Sequence, residues 1–158
     1  MKPTHELAEC ADCSCFAVRR AARRITQHYD YHLRSSGLRT TQFTLLTVLA
    51  LGGPQPLGRV ADRLGTERTT LTRNLRPLIA RGLVRAESGD DRRVQLLAIS
   101  PKGLAAARAA LPHWRTAQRS ISGSLTAGTL RALDRAAAAA VRARPSGRKS
   151  TGRASEEE

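Results

Sequence analysis

The sequence predicts a mainly α-helical fold with one short β-hairpin, and three observations support this prediction. Two helical patterns follow one another at residues 56–65 and 66–84, with a tight turn between them. Two short apolar segments flank the turn-rich stretch ESGDDRR. Further helical patterns lie near both ends of the chain, over residues 14–35 and 101–143. Because 158 residues suit one domain of ordinary size, we predict a single domain over residues 1–144. Residues 145–158 have no apolar periodicity and are predicted to form a disordered tail.

The first two helices are predicted at residues 14–35 and about 41–51. The first has an apolar stripe and ends near Gly37; the stripe comprises Phe16, Ala17, Ala21, Ile25, His28, Tyr29 and His32 or Leu33. Asp30 on this helix is expected to pair with an arginine. The second helix, TQFTLLTVLAL, is apolar on most sides, which is typical of a helix at the centre of a core.

The next two helices differ in the chemistry of their faces. Residues 56–65 place Leu57, Val60, Ala61 and Leu64 on one face and stop at Gly65. In residues 66–84 the positions spaced for a core are Leu71, Leu75, Leu78 and Ile79. The outward positions are short-chained or cationic: Arg68, Thr69, Thr70, Thr72, Arg73, Asn74 and Arg76. A solvated surface helix is one interpretation; the other is a helix-turn-helix, whose second helix enters the DNA major groove.

A hairpin is predicted after Gly82, because residues 83–86 and 94–99 are short apolar segments around a turn. Arg92 and Arg93 stand at its tip. A hairpin in this position is a wing, and these arginines are expected to hold the adjacent DNA backbone or minor groove.

These motifs together resemble the MarR family of winged helix-turn-helix regulators. The matching residues are LGRVADRLG, TTLTRNLRPLIARGLV, the set Asp91, Arg93, Ile99 and Ser100, and PKG at residues 101–103. The resemblance runs from about residue 17 to 143. It implies a DNA-binding lobe over about residues 41–100 and dimerisation helices over about 13–36 and 101–143. Gly58 departs from the family, which often has a Ser or Thr helix cap there, so the start of that helix is an open point.

The two helices after the hairpin bear on oligomeric state. Residues 101–122 form the first, which Pro112 should kink, and residues 126–143 form the second, with Thr126 at its cap. Leu130, Leu133 and Val141 are too few for an isolated core, which suggests a partner subunit. The resemblance likewise implies a two-fold homodimer on a pseudo-palindromic double-stranded DNA operator.

The charge of the chain favours a polyanionic partner. The formal net charge is +14, and beyond Pro145 three basic residues cancel three glutamates, so the excess lies in the body of the chain. A basic body attracts nucleic acid through counterion release. With 3% aromatic residues, neither RNA stacking platforms nor membrane-anchored helices are predicted. No apolar stretch is long enough for a membrane span or a signal peptide, so a cytoplasmic location is expected.

No enzyme is predicted. His5, His28, His32 and His113 have no nucleophile at a motif spacing, and the sequence has neither a glycine-rich phosphate loop nor an HExxH helix. His28 and His32 are four residues apart, as in some metal pairs, but without a third ligand they are more typical of the polar edge of a dimer core. No obligate cofactor is expected.

All three cysteines, Cys10, Cys13 and Cys15, fall within six positions. Three interpretations remain open: idle thiols, redox sensors made readily oxidisable by a helix start with Arg19 and Arg20 nearby, or ligands of a thiophilic ion such as As(III). Cys13 and Cys15 would lie about 200° apart on one helix, so an ion site needs residues 10–13 to be a loop, or completion across a dimer.

The family resemblance adds another effector, a small aromatic acid or phenolic compound bound between the DNA-binding lobe and the dimer helices. The residues that could line such a pocket are Phe16, Arg20, His28, Tyr29, Phe43 and Trp114, although aromatic residues on helix stripes are more often simply packed. The sequence therefore predicts a DNA-binding transcriptional regulator, a repressor released by a small effector. A nonspecific DNA-binding or scaffold protein is the alternative.

Overall fold

The structure, a computed structural model, describes residues 5–88 and 95–143. It divides into two compact units, Met1–Ser120 and Ile121–Glu158. The helices are α1 (Ser14–Leu33), α2 (Thr40–Gly52), α3 (Leu57–Leu64), α4 (Arg68–Ala80), α5 (Pro101–Ile121) and α6 (Ala127–Arg142). The strands are β1 (Gln55–Pro56), β2 (Val84–Ser88) and β3 (Gln95–Ile99). The mainly helical fold with a small antiparallel sheet confirms the predicted fold class.

Helix α2 lies at the centre of the core of the first unit. Its buried side chains are Phe43, Leu45, Leu46 and Leu49, as its apolar sequence predicts. Helix α1 ends at Leu33, which is buried, and a 3-10 turn (Arg34–Ser36) leads to Gly37 at φ +69°. The N-terminal part of the predicted α1 stripe is exposed in this unit, since Phe16, Ala17 and Ala21 all face solvent.

Helices α3 and α4 form the predicted helix-turn-helix. Gly65 ends α3 in the left-handed conformation, at φ +60°. In α4 the core positions Leu71, Leu75 and Leu78 are buried. The expectation that Ile79 also faces the core is wrong: it is 45% exposed, because each helical residue turns about 100° and Ile79 follows the buried Leu78. The helix stops at Ala80, earlier than predicted, since residue 84 already belongs to β2.

The wing is a three-stranded sheet in the order β1-β3-β2. Strand β2 pairs with β3 from Val84↔Ile99 to Ser88↔Gln95. Strand β1 was not predicted, because two residues are too few for a periodicity. Its Gln55 is buried, and the side-chain amide donates to the carbonyls of Val48 at 3.4 Å and Gly53 at 3.3 Å.

The start of α5 packs tightly against the wing. Ser100 Oγ donates to the Gly82 carbonyl at 2.6 Å and accepts from Gly103 N at 2.9 Å, while Ser100 N donates to the Leu83 carbonyl at 3.0 Å. Helix α5 continues through Pro112. The family pattern of Ser100 followed by PKG therefore marks the junction between β3 and α5, where these hydrogen bonds hold the helix start in place.

Helix α6 belongs to the second unit. Thr126 is its N-cap, as predicted, and the Thr126 hydroxyl accepts from Thr129 N at 3.2 Å. Leu130, Leu133 and Val141 are exposed on it. The predicted tail at residues 145–158 lies outside the described residues.

Candidate nucleic-acid interface

The outer face of α4 carries the residues that the sequence assigned to DNA. Within the unit they are exposed, except Asn74, which is half-buried; the exposed residues are Arg68, Thr69, Thr70, Thr72, Arg73 and Arg76. The buried leucines on the opposite side fix the rotation of the helix, so this face is turned to solvent by the packing of the core. We call these seven residues the recognition face.

Two contacts shape the start of the recognition face. The Thr72 hydroxyl donates to the Arg68 carbonyl at 2.8 Å, so it is held against its own helix. The Arg68 side chain folds back over Gly58 of α3, where an added Cβ would lie 2.9 Å from Arg68 Nη2. Gly58 is the second residue of α3, whose N-cap is Pro56. Helix α3 therefore begins at Leu57 without a Ser or Thr cap at Gly58, and the missing side chain at Gly58 makes room for Arg68.

The positive charge of the recognition face comes from its three arginines. Within residues 5–88 and 95–143, Arg68, Arg73 and Arg76 have no carboxylate partner. The ion pair in this part of the chain joins Arg85 Nε to Glu87 Oε1 at 2.5 Å, on strand β2. Guanidinium groups without an internal partner remain available for phosphates and base edges.

The tip of the wing follows the pair Ser88↔Gln95. Arg92 and Arg93, predicted to contact DNA from this tip, lie outside the described residues. Their assignment remains a prediction.

Known proteins are similar to this chain in both architecture and sequence. A model of the MarR family matches residues 36–94. The crystal structure of the M. tuberculosis transcriptional regulator MosR in complex with DNA is 40% identical, covers 85% of this chain and 100% of that chain, and superposes with a TM-score of 0.77. The chain belongs to the MarR family. It therefore has the DNA-binding fold of these transcriptional regulators, and it is not an enzyme.

Two further comparisons agree with MarR-family membership. Another crystal structure of M. tuberculosis MosR is 38% identical, covers 84% of this chain and 98% of that chain, and has a TM-score of 0.71. The transcriptional regulator MhqR of Bacillus subtilis is 34% identical over 86 residues, which is 54% of this chain. The match spans 59% of the length of MhqR.

The three cysteines of this MarR-family chain lie around the start of α1 and are exposed. Cys13 is the N-cap residue, Cys15 lies in the first turn, and Cys13 N donates to the Cys10 carbonyl at 3.2 Å. Cys10 belongs to a 3-10 helix (His5–Asp12), so the loop over residues 10–13 that an ion site within one chain would need is not formed. Within the described ranges, no three His, Cys, Asp or Glu side chains are grouped as a metal site would require.

The candidate aromatic pocket is only partly assembled. Phe43 and Trp114 stack with ring centroids 6.3 Å apart and line an apolar cavity of about 280 Å³ between α2 and α5. Its other lining residues are Thr44, Thr47, Val48 and Leu111. Phe16 and Arg20 are not among them: the Arg20 guanidinium lies 5.3 Å from the Phe16 ring centroid on α1.

His28 and Tyr29 instead join α1 to α5. His28 Nε2 lies 3.2 Å from the Ala117 carbonyl and 2.9 Å from Ser120 Oγ. The Tyr29 hydroxyl donates to Gln118 Oε1 at 2.5 Å, and burial raises the pKa of Tyr29 above its ordinary value. These two side chains therefore fasten one helix to another.

Asp30 fastens α1 to the start of α2. The expected arginine partner is replaced by Thr40, whose N and Oγ1 both donate to Asp30 Oδ1, at 2.6 and 2.7 Å. A carboxylate that caps a helix start satisfies an amide that the helix itself leaves without an acceptor.

No helix in residues 5–88 or 95–143 has the length and apolarity that a membrane crossing requires.

Proposed function

We propose that this protein is a sequence-specific double-stranded DNA-binding regulator that acts as a repressor and is released by an effector. The observation that carries this proposal is the recognition face, whose arginines and threonines are solvent-exposed and whose arginines form no ion pair within residues 5–88 and 95–143. The DNA complex of MosR, at 40% identity, supports the same role for this chain. Threonine and arginine on a groove-facing helix read base edges and hold phosphates.

We infer that the functional form is a homodimer. Exposed apolar side chains on α1 (Phe16, Val18 and Tyr31) and on α6 (Leu130, Leu133 and Val141) support this, because a second copy would remove them from water. A two-fold dimer would present two recognition helices to successive turns of one DNA face and read a pseudo-palindromic operator. Sedimentation equilibrium tests the dimer: a monomer at micromolar concentration would contradict it.

Competition binding tests the DNA-binding proposal against nonspecific compaction. Labelled duplex from the region upstream of the protein's own gene is bound at physiological salt and displaced with unlabelled promoter or random duplex. We expect a preference of about a thousandfold or more for the promoter. A scaffold or compaction protein would show equal displacement by both competitors.

We propose that the cysteines sense the effector, either an oxidant or a thiophilic metalloid such as As(III). The exposure of all three thiols supports access by either reagent. Cys13 N donates to the Cys10 carbonyl at 3.2 Å, and a turn of this kind brings the two Cα atoms within about 7 Å of each other, close to the range that a disulfide can bridge. Hydrogen peroxide would convert the two thiols to a disulfide and itself be reduced to two water molecules. As(III) would need all three thiolates to converge.

Substitution separates these effectors. Operator release by peroxide and by arsenite is measured for the wild type and for variants with serine at Cys10, Cys13, Cys15 or all three. Redox sensing predicts that Cys15→Ser still responds to peroxide, while Cys10→Ser and Cys13→Ser do not. Metalloid sensing predicts that each single variant loses its response to arsenite. If the triple variant responds to both as the wild type does, the cysteines are idle.

A small aromatic acid is the second candidate effector, and the cavity between Phe43 and Trp114 favours it. An effector there would need different affinities for the DNA-bound and free states. Trp114 is the one tryptophan of the chain, so its fluorescence reports occupancy of the cavity directly. Saturable quenching by benzoate-like acids, lost in Phe43→Ala and accompanied by operator release, is the expected result. Quenching without release of operator DNA would show that the cavity binds the acid but does not control DNA binding.

A further inference from the structure

A second basic site adjoins the recognition face, in a cleft between the start of α2 and the middle of α4. The cleft has a volume of about 350 Å³ and is lined by Arg39, Thr41, Gln42, Arg73, Asn74 and Pro77. Arg73 and Asn74 belong to the recognition face, so the cleft continues that surface. Arg39 is a site residue that sequence analysis missed, because it lies in the loop before a helix and outside every motif.

The chemistry of the cleft fits an oxyanion. Arg39 and Arg73 both line it, both are exposed, and neither has a carboxylate partner in the part of the chain that the structure describes. The Thr41 hydroxyl can donate as well. The Gln42 Oε1 atom accepts from Arg39 N at 3.0 Å, which leaves the Gln42 NH₂ group as a donor. The Asp30 carboxylate already accepts from the first amide of α2, Thr40 N, at 2.6 Å, so the positive charge of the cleft comes from the two arginines and not from the helix start.

The backbone around Arg39 is held on both sides. Arg81 Nη1 donates to the Gly37 carbonyl at 3.0 Å, which ties the loop to the end of α4. On the other side, Thr40 is bound twice by Asp30. The Arg39 carbonyl accepts from Phe43 N at 2.9 Å. The position of Arg39 relative to α4 is thus set by the fold before any ligand arrives.

We propose that this cleft binds a backbone phosphate of the operator, with Arg39 and Arg73 on either side of it. This inference rests on the proposed DNA-binding function and adds a contact from a second helix. Phosphate contacts fix the register of a protein on DNA and carry no sequence information directly. Arg39 therefore sets affinity and salt dependence, whereas the base-reading residues of α4 set sequence preference.

The test compares Arg39→Gln with Arg39→Lys and with Arg108→Gln, a control at an exposed arginine of α5. Affinity for promoter and for random duplex is measured across a sodium chloride series. In Arg39→Gln we expect both affinities to fall by roughly tenfold, an unchanged promoter preference, and a salt slope smaller by about 0.9. Arg39→Lys should keep the slope, and Arg108→Gln should match the wild type.

Three outcomes separate the possibilities. If Arg39→Gln has the same DNA affinity and the same salt slope as Arg108→Gln, the phosphate site is overturned. In that case a promoter preference of the wild type would still support the proposed function. Absence of that preference in the wild type is instead a failure of the proposed function. Inorganic phosphate added at constant ionic strength is the third arm: a cleft that binds a DNA phosphate predicts that free phosphate weakens DNA binding by the wild type more than by Arg39→Gln, and equal effects on the two proteins would contradict the phosphate site. Equal melting temperatures confirm that the variants are folded.

Discussion

Gly103→Ala is the substitution whose effect follows most directly from the structure. Gly103 lies where α5 approaches the backbone that leads into β2. An added methyl carbon would clash with the Leu83 carbonyl oxygen, and it would lie 2.9 Å from the Leu83 carbonyl carbon and 3.0 Å from Ile99 Cγ1. The Leu83 carbonyl also accepts from Ser100 N at 3.0 Å. Because the obstacle is hydrogen-bonded backbone, the helix must shift.

The size of the effect follows from three contributions, two of which lower the stability and one of which raises it. Overpacking of this kind costs about 1–3 kcal/mol. Replacing a helical glycine with alanine returns at most about 1 kcal/mol. Displacement of α5 also weakens the bond from Gly103 N to Ser100 Oγ, which contributes about 1 kcal/mol. We expect a net loss of about 2 kcal/mol in the free energy of unfolding.

Urea denaturation at fixed protein concentration measures this loss, since the stability of a dimer depends on concentration. Gly128→Ala is the matched control: Gly128 is also near a helix start, but its added Cβ would meet only Thr126 Oγ1, at 3.6 Å. The control should be neutral or more stable by up to about 1 kcal/mol. Equal stabilities of the two variants would refute the proposed junction between Ser100, Gly103 and β2.

Substitutions at three further residues test single contacts. Gly58→Ala should raise the free energy of unfolding by about 0.5–1 kcal/mol, because the obstructing Arg68 guanidinium is a flexible end that can move aside; a lower melting temperature would show that Arg68 is held there. Asp30→Ala should cost about 1.5–3 kcal/mol in urea, since both Thr40 bonds are lost, and Asp30→Asn should cost less; equal losses would contradict the capping role. Tyr29→Phe should cost about 1 kcal/mol near neutral pH through the lost bond to Gln118. Burial raises the folded pKa of Tyr29 above 10.0, so the stability that the Tyr29 hydroxyl contributes is complete below pH 10 and is lost as pH rises through the folded pKa. The free energies of unfolding of the wild type and Tyr29→Phe should therefore converge in urea titrations at alkaline pH. A difference that stays constant with pH would contradict this.

The helix-turn-helix and the wing could be predicted from the sequence because their signals are local. Leucines at helical spacing, Gly65 at a helix end and ESGDDRR between apolar segments each act within one turn or one hairpin. Ile79 was assigned wrongly because spacing alone does not show which edge of an apolar stripe the core covers. Strand β1 was missed because two residues have no periodicity.

The parts of the site that depend on distant contacts could not be read from the chain. Arg39 shares a cleft with Arg73, 34 positions later, because Asp30 and Arg81 hold the loop that carries Arg39. Similarly, Phe43 and Trp114 meet through the packing of α2 and α5, while Phe16 and Arg20 face solvent. Residue type predicted which side chains could bind an anion or an aromatic ring, and tertiary structure decided which of them lie together.

Selection from a pool of random DNA duplexes tests the central claim most directly. The protein is bound at physiological salt, retained duplexes are amplified over several rounds, and the final pool is sequenced. A dimeric regulator with two recognition faces predicts an enriched motif with two-fold symmetry, its half-sites about 10 base pairs apart from centre to centre. A pool that stays as random as the input would contradict the account.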